Sequence, residues 1–258
     1  QGKRPDVINL VGWSRGAVTC LKMVNKIYEV YKDTIELNIF AIDPVPGGLT
    51  SITDDIVTIP PNVRNYLAVL ALDDDRVNFQ PTDRETLKLE IPGNKRLPMP
   101  NIHFLPLPGN HSDVVSAGKT KEAEPSGILC AHLAWKFLAA HGTTFSAGPS
   151  KKFNLPASVV TQTYGILSRN LEAIASKATS GLITVVGGRR KERHVRAHRE
   201  TYVRGSDFFV NEHHRQCALM PGVQPQRQNS DVTYQMIAKD GTLPIADLFQ
   251  MGITYDRL

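Results

Sequence analysis

The first half of the chain alternates short apolar runs with stretches of helical spacing. Asp6-Val7-Ile8-Asn9-Leu10-Val11 is rich in β-branched residues and stops at Gly12. From Arg15 the apolar positions Val18, Leu21, Val24, Ile27, Val30 and Tyr31 recur three and four apart, the period of a helix with one buried face. A second run, Leu37 to Ile42, stops at Asp43-Pro44 and a Pro/Gly cluster; a third, Val63 to Leu72, ends in Asp73-Asp74-Asp75. A fourth, Ile102 to Leu107, ends at Pro108-Gly109-Asn110-His111, and a helix is predicted from Ser126 to His141. Apolar strands joined by helical or loop crossovers predict a mostly parallel sheet with helices on both faces.

In such sheets the residues that do chemistry sit just past the carboxyl ends of strands. Ser14, Asp43, Asp73 to Asp75 and His111 all fall there. Beyond about Thr143 the pattern changes. Ser146 to Lys152 is predicted as a linker, Ala157 to Lys177 as a long helix, and Thr201-Tyr202-Val203 and Phe208-Phe209-Val210 as strand-like pieces. The reading is thus a catalytic α/β region over 1–145 and a mixed α+β extension over 146–258, a cap or a partner- or membrane-binding region.

Composition narrows this only modestly. Of 258 residues 41% are hydrophobic, enough for a core without staples. No apolar run approaches the ~18 residues of a bilayer-spanning helix. No signal peptide opens the chain; it starts at Gln1, close to its first strand, and is expected to be a domain of a longer protein. The net charge of +5 weakly favours anionic surfaces. Cys20, Cys130 and Cys217 have neither metal nor disulfide spacing, so no metal or cofactor is expected. The basic stretch Arg189 to Arg199 reads as a solvated loop or as a lipid-headgroup contact. It lacks zinc spacing and interleaved aromatics, so nucleic acid is not an expected partner.

Gly12-Trp13-Ser14-Arg15-Gly16 is a G-x-S-x-G pentapeptide between a strand and a helix, the context in which such a serine is lifted on a sharp turn as a nucleophile of the α/β-hydrolase type. Gly12 and Gly16 are expected to be bare because helix and strand crowd there. The N–H of Arg15, at the helix start, is placed to donate to an oxyanion. A serine hydroxyl needs a base. Of eight histidines, His103 lies in a strand, His132 and His141 on a helix as solvated or core-edge residues, and His194, His198, His213 and His214 in the basic tail. His111 alone follows a strand in a Gly/Pro loop, and is the candidate base. For the acid, Asp43 and the Asp73–Asp75 cluster stand level.

Four segments together resemble a known family: Val11-Gly12-Trp13-Ser14-Arg15-Gly16-Ala17; Ile42-Asp43-Pro44-Val45-Pro46-Gly47; Ala68 to Arg76 with Phe79-Gln80-Pro81; and Phe104 to Val114, which contains Gly109-Asn110-His111-Ser112-Asp113-Val114. They are similar to the G-F-S-R-G, F-D-T-V, A-L-A-L-D-E-x-R and G-x-H-S-D-V-G-G-G elements of the Tle1-like phospholipase effectors of bacterial type VI secretion, over roughly residues 5 to 140. The resemblance implies Ser14 as nucleophile, Asp43 as acid and His111 as base. Asp74 is then the runner-up acid and a loop residue, and Asp113 holds the histidine loop. It further implies a secreted antibacterial toxin with phospholipase A1 or A2 activity at a target cell's membrane or periplasm. Phospholipid is the implied substrate, and an immunity protein and a secretion-spike protein are the implied partners. Val115-Ser116-Ala117 replaces the family's glycine triplet, and the family's first strand, carrying a second oxyanion donor, would lie upstream of Gln1. Two other readings stand beside this one: a non-enzymatic pseudo-hydrolase or partner-binding module on the same fold, and a hydrolase of soluble esters or peptides.

Overall fold

The computed structural model describes residues 3–47, 52–74, 76, 79–83, 86–90, 100–118, 121–180 and 242–244. The four apolar runs become strands β1 (Val7–Trp13), β2 (Glu36–Ile42), β4 (Val63–Ala71) and β6 (Asn101–Leu107), hydrogen-bonded in the order β1-β2-β4-β6. Every pairing is parallel, so all four carboxyl ends lie on one edge of the sheet. Helix α1 (Arg15–Tyr31) follows β1, and α2 (Glu124–Ala140) and α4 (Ala157–Ser180) follow β6. The chain is an α/β protein built on a mostly parallel sheet. A second, three-stranded sheet joins β3 (Thr58–Ile59), β5 (Lys88–Glu90) and β7 (Thr242–Pro244). These strands are too short for a periodic signal, and the sequence pattern does not reveal them.

The period of two along each strand divides the core. On one face Leu37, Ile39, Ala41, Tyr66, Ala68, Leu70, Ile102 and Phe104 pack with Ala17, Val18, Leu21 and Val24 of α1. On the other, Phe40, Leu67, Val69, Leu105 and Leu107 pack with Leu129, Leu133 and Phe137 of α2 and Val160, Tyr164 and Leu167 of α4. Phe40 and Phe137 meet at 5.6 Å across this second layer. Each such fully buried side chain is worth about 1.5–3 kcal/mol of transfer free energy. Helix α4, on the far side of the predicted linker, therefore completes the sheet's own core.

Residues 146 to 152 are not an extended linker: Ala147–Phe153 form a short helix, α3. Ser146 sits before it in extended conformation, and Pro149 falls in the first turn, where a missing N–H breaks no intrahelical bond. Likewise α2 starts two residues ahead of the predicted Ser126, with Pro125 in its first turn.

One polar row crosses the whole sheet. Asn9, Asn38, Asn65 and Asn101 are register partners on successive strands. Asn101 Nδ2 donates to Asn65 Oδ1 at 2.8 Å, Asn65 to Asn38 at 2.6 Å, and Asn38 to Asn9 at 2.9 Å. Asn9 Nδ2 donates to the His141 carbonyl and to Thr143 Oγ1, each at 2.9 Å. Every amide donates in the same direction, so the ladder satisfies groups whose burial would otherwise be costly. It also opposes slippage, since a shift of one residue would turn each asparagine to the opposite face.

Candidate functional site

Ser14 links β1 to α1. Its N–H donates to the Ile42 carbonyl at 2.9 Å, extending the β1–β2 ladder by one step, while its carbonyl accepts from Ala17 at 3.0 Å and so opens the helix. One residue serving both elements must turn sharply: φ is +56° and ψ −129°, a conformation that non-glycine residues adopt only under strain. The turn is tight enough that a Cβ on Gly12 would lie 2.5 Å from the Ala17 nitrogen and from the Gly16 carbonyl. Gly16 departs from expectation: a Cβ there would meet nothing within 4 Å. The crowding is one-sided, because Gly12 faces the backbone of the helix while Gly16 points outward. The first turn of α1 has no side-chain cap and no acidic residue, so its positive end bears directly on the position of Ser14. Arg15 is exposed.

Asp43 follows β2. It is fully buried, at 0% exposure, with φ at +40°, and its N–H is held by the Val69 carbonyl at 2.7 Å. One carboxylate oxygen, Oδ1, accepts the Ala71 N–H at 2.9 Å; the other, Oδ2, lies 2.6 Å from His111 Nδ1. Between Asp43 and the aspartates after β4, the structure thus brings Asp43 to the imidazole. Asp73 and Asp74 serve the loop that carries His111 instead: Asp73 Oδ2 accepts the Gly109 N–H at 2.8 Å, and Asp74 Oδ2 accepts the His111 N–H at 3.1 Å. Asp75 lies outside the described residues.

Side chains take up the backbone donors of that loop in turn. Asp113 Oδ2 accepts from Asn110 N at 2.9 Å, and Asn110 Oδ1 accepts from Ser112 N at 2.9 Å and Asp113 N at 3.2 Å. Gly109, with φ +112°, turns where a side chain would strike Asp113. A 3₁₀ turn over Asp113–Val115 follows and closes on Ser116, which takes a left-handed φ of +58°. The turn beds on α2 at Gly127, where a Cβ would come within 2.1 Å of Ser116 Oγ. This web leaves the His111 backbone little freedom.

The imidazole is held as firmly. Trp13 Nε1 donates to the His111 carbonyl at 3.1 Å, and the two rings stack at 5.1 Å between centroids. Phe79 meets the ring edge-on, also at 5.1 Å. With Nδ1 held by Asp43, the nitrogen left for a substrate-side partner is Nε2. Trp13 and Phe79 stand within the quoted sequence elements, yet their types and spacing carry no signal of this role. Burial pushes the Cys130 thiol well above its ordinary value, and the charge of Asp43 adds to it, so Cys130 behaves as an inert core thiol.

The remaining histidines stand elsewhere. His103 is buried in β6. His132 is buried rather than solvated, its Nδ1 lying 3.0 Å from the Phe153 carbonyl and 3.1 Å from the Leu155 nitrogen. His141 ends α2. His194, His198, His213, His214, the basic stretch and Cys217 lie outside the described residues. Among the described residues no group of three or more His, Cys, Asp or Glu is placed to hold a metal ion, and no helix is long and apolar enough to cross a membrane. No protein-family model and no curated protein matches the sequence.

Proposed function

We propose that the chain is a serine hydrolase of the α/β-hydrolase type acting on phospholipid acyl esters. The observation that carries this reading is the buried Asp43–His111 pair, closed at 2.6 Å, together with a serine held in a strained strand-to-helix turn at the end of the neighbouring strand β1. A buried carboxylate fixes the tautomer of the imidazole and stabilises the imidazolium formed when Nε2 removes the Ser14 proton. Ser14 Oγ then attacks the ester carbonyl. The Arg15 N–H, at the positive end of α1, donates to the oxyanion. His111 returns the proton to the leaving alcohol, and water, activated by the same nitrogen, releases the acid. The substrate class rests on the sequence resemblance to phospholipase effectors, as do the target-cell membrane, the immunity protein and the secretion-spike protein as partners.

A fluorophosphonate probe tests the centre directly. Labelling is expected on Ser14, lost in Ser14→Ala and slowed at least about 10³-fold in His111→Ala and Asp43→Asn. Fatty-acid release from phosphatidylglycerol or phosphatidylethanolamine vesicles then tests the substrate. A folded protein that takes no label is no serine hydrolase, and a binding role on the same fold becomes the better account. Labelling without lipid turnover, accompanied by hydrolysis of short soluble esters, would overturn the lipid assignment alone.

A further inference from the structure

We propose that Arg76 is a positioning residue for this hydrolysis, clamping His111 from two directions through Asp74 and through Phe79. The proposal rests on the serine-hydrolase reading above and assigns a role that the Ser14, His111 and Asp43 chemistry does not contain. Arg76 grips Asp74 in a fork: Nε lies 2.9 Å from Oδ1 and Nη2 lies 2.6 Å from Oδ2. Its own backbone N–H donates to Oδ1 at 3.2 Å. The Asp74 side chain is 1% exposed and that of Arg76 28%, so the pair reaches from solvent into the buried ground under the histidine loop. The oxygen that takes Nη2 also accepts the His111 N–H at 3.1 Å.

The second arm is apolar. The Arg76 guanidinium lies 3.3 Å over the centre of the Phe79 ring, and the Phe79 ring stands at 76° to the imidazole with 5.1 Å between centroids. One contact of the His111 backbone and one of its ring thus trace back to the same planar cation. A lysine supplies the charge but neither the fork nor the stacking plane. Without Arg76, Asp74 loses a two-pronged cationic partner in buried ground, and it must draw in water or move. Either response shifts the acceptor of the His111 amide. Phe79 at the same time loses the plane that pins it. A catalytic base displaced by a fraction of an ångström keeps its chemistry but loses alignment with Ser14, and alignment is where much of its effect resides.

The test uses the full chain, p-nitrophenyl butyrate turnover and the far-downfield proton NMR signal of the hydrogen on His111 Nδ1. Arg76→Gln is expected to lower kcat about ten-fold, leave KM within about two-fold, and broaden or shift that signal. Arg76→Lys is expected to fall between Arg76→Gln and the wild type. The decisive comparison is the double variant: in a His111→Ala background Arg76→Gln should change the residual rate by less than about two-fold, because its effect passes through the histidine. An equal loss in both backgrounds, or wild-type kcat in Arg76→Gln, overturns the proposal. If Arg76→Gln does not fold, Phe79→Leu decides: a several-fold fall in kcat with the same NMR change supports the clamp, and wild-type behaviour refutes it. A wild type that neither labels nor turns over ester removes the underlying hydrolase reading, an outcome distinct from all of these.

Discussion

The indole N–H of Trp13 donates to the backbone carbonyl of His111 at 3.1 Å while the two rings stack. A residue one place before the candidate nucleophile therefore holds the candidate base, 98 positions away in sequence. Trp13→Phe keeps an aromatic ring against the imidazole and removes only the donor. It should cost about 1 kcal/mol in urea unfolding and slow fluorophosphonate labelling by about three- to ten-fold. Wild-type labelling by Trp13→Phe would show that the stacked ring alone, without the hydrogen bond, aligns His111.

The backbone at Ser14 makes a separate, thermodynamic claim. With φ at +56° and ψ at −129°, a non-glycine residue stores about 1–3 kcal/mol. Glycine escapes that strain, although its freer unfolded chain gives back about 0.5–1 kcal/mol. Ser14→Gly and Ser14→Ala both remove the hydroxyl, so their difference isolates the backbone. Ser14→Gly should be the more stable by about 1 kcal/mol. Equal unfolding midpoints would mean that the turn is unstrained.

Much of this arrangement is legible in the residues. Four apolar runs, each ending in a glycine, proline or aspartate cluster, give the four parallel strands to within one or two residues; in β2, β4 and β6 burial on both faces makes the apolar runs continuous, whereas β1, at the end of the strand order, is only partly buried. The helix after Ser14 announces itself by its period. The acid does not: Asp43 and Asp74 both follow strands, and only register decides that Asp43 meets the ring while Asp74 meets the backbone. Trp13, Arg76 and Phe79 escape for a similar reason, since their roles come from contacts between separate loops. The crowding anticipated at Gly16 belongs to Gly12 alone, a distinction set by which way each Cα–Cβ bond points. Helix α3 is masked by its Ser, Gly, Pro and Lys content, which reads as a linker until α2 and α4 fix its ends.

The asparagine ladder is expected to dominate the stability of the sheet's polar row. Asn65 stands in its middle, linked to Asn38 and Asn101. Asn65→Ala leaves both neighbours short of a partner in a buried setting, at a cost of about 2–3 kcal/mol. Asn9→Ala, at the half-buried end, should cost about 1 kcal/mol. Asn38→Ala and Asn65→Ala share one hydrogen bond, so the double variant should lose less than the sum of the singles. Strict additivity in chemical denaturation would mean that the four amides act as independent surface groups.

His141, whose carbonyl ends that ladder, gives the fold a pH dependence of its own. Burial pulls its imidazole below the ordinary histidine value of 6.5, with the charge of Glu36 working weakly against this. The ring lies edge-on to Phe137 at 4.7 Å, and its Nε2 is buried with no hydrogen-bond partner among the described residues. The folded state therefore prefers the neutral imidazole. Below 6.5 the unfolded chain takes up this proton more readily than the folded one, so the stability contributed by His141 is fully present above 6.5 and is lost as pH falls through the lower, folded-state value. His141→Gln keeps the backbone carbonyl for Asn9 and removes the titration. Denaturation curves at a series of pH values from about 7.5 to about 4.5 should show wild type and variant running parallel above 6.5 and the wild type falling more steeply below it. Curves that stay parallel throughout would mean that the His141 ring is solvated in the folded protein and carries none of its acid sensitivity.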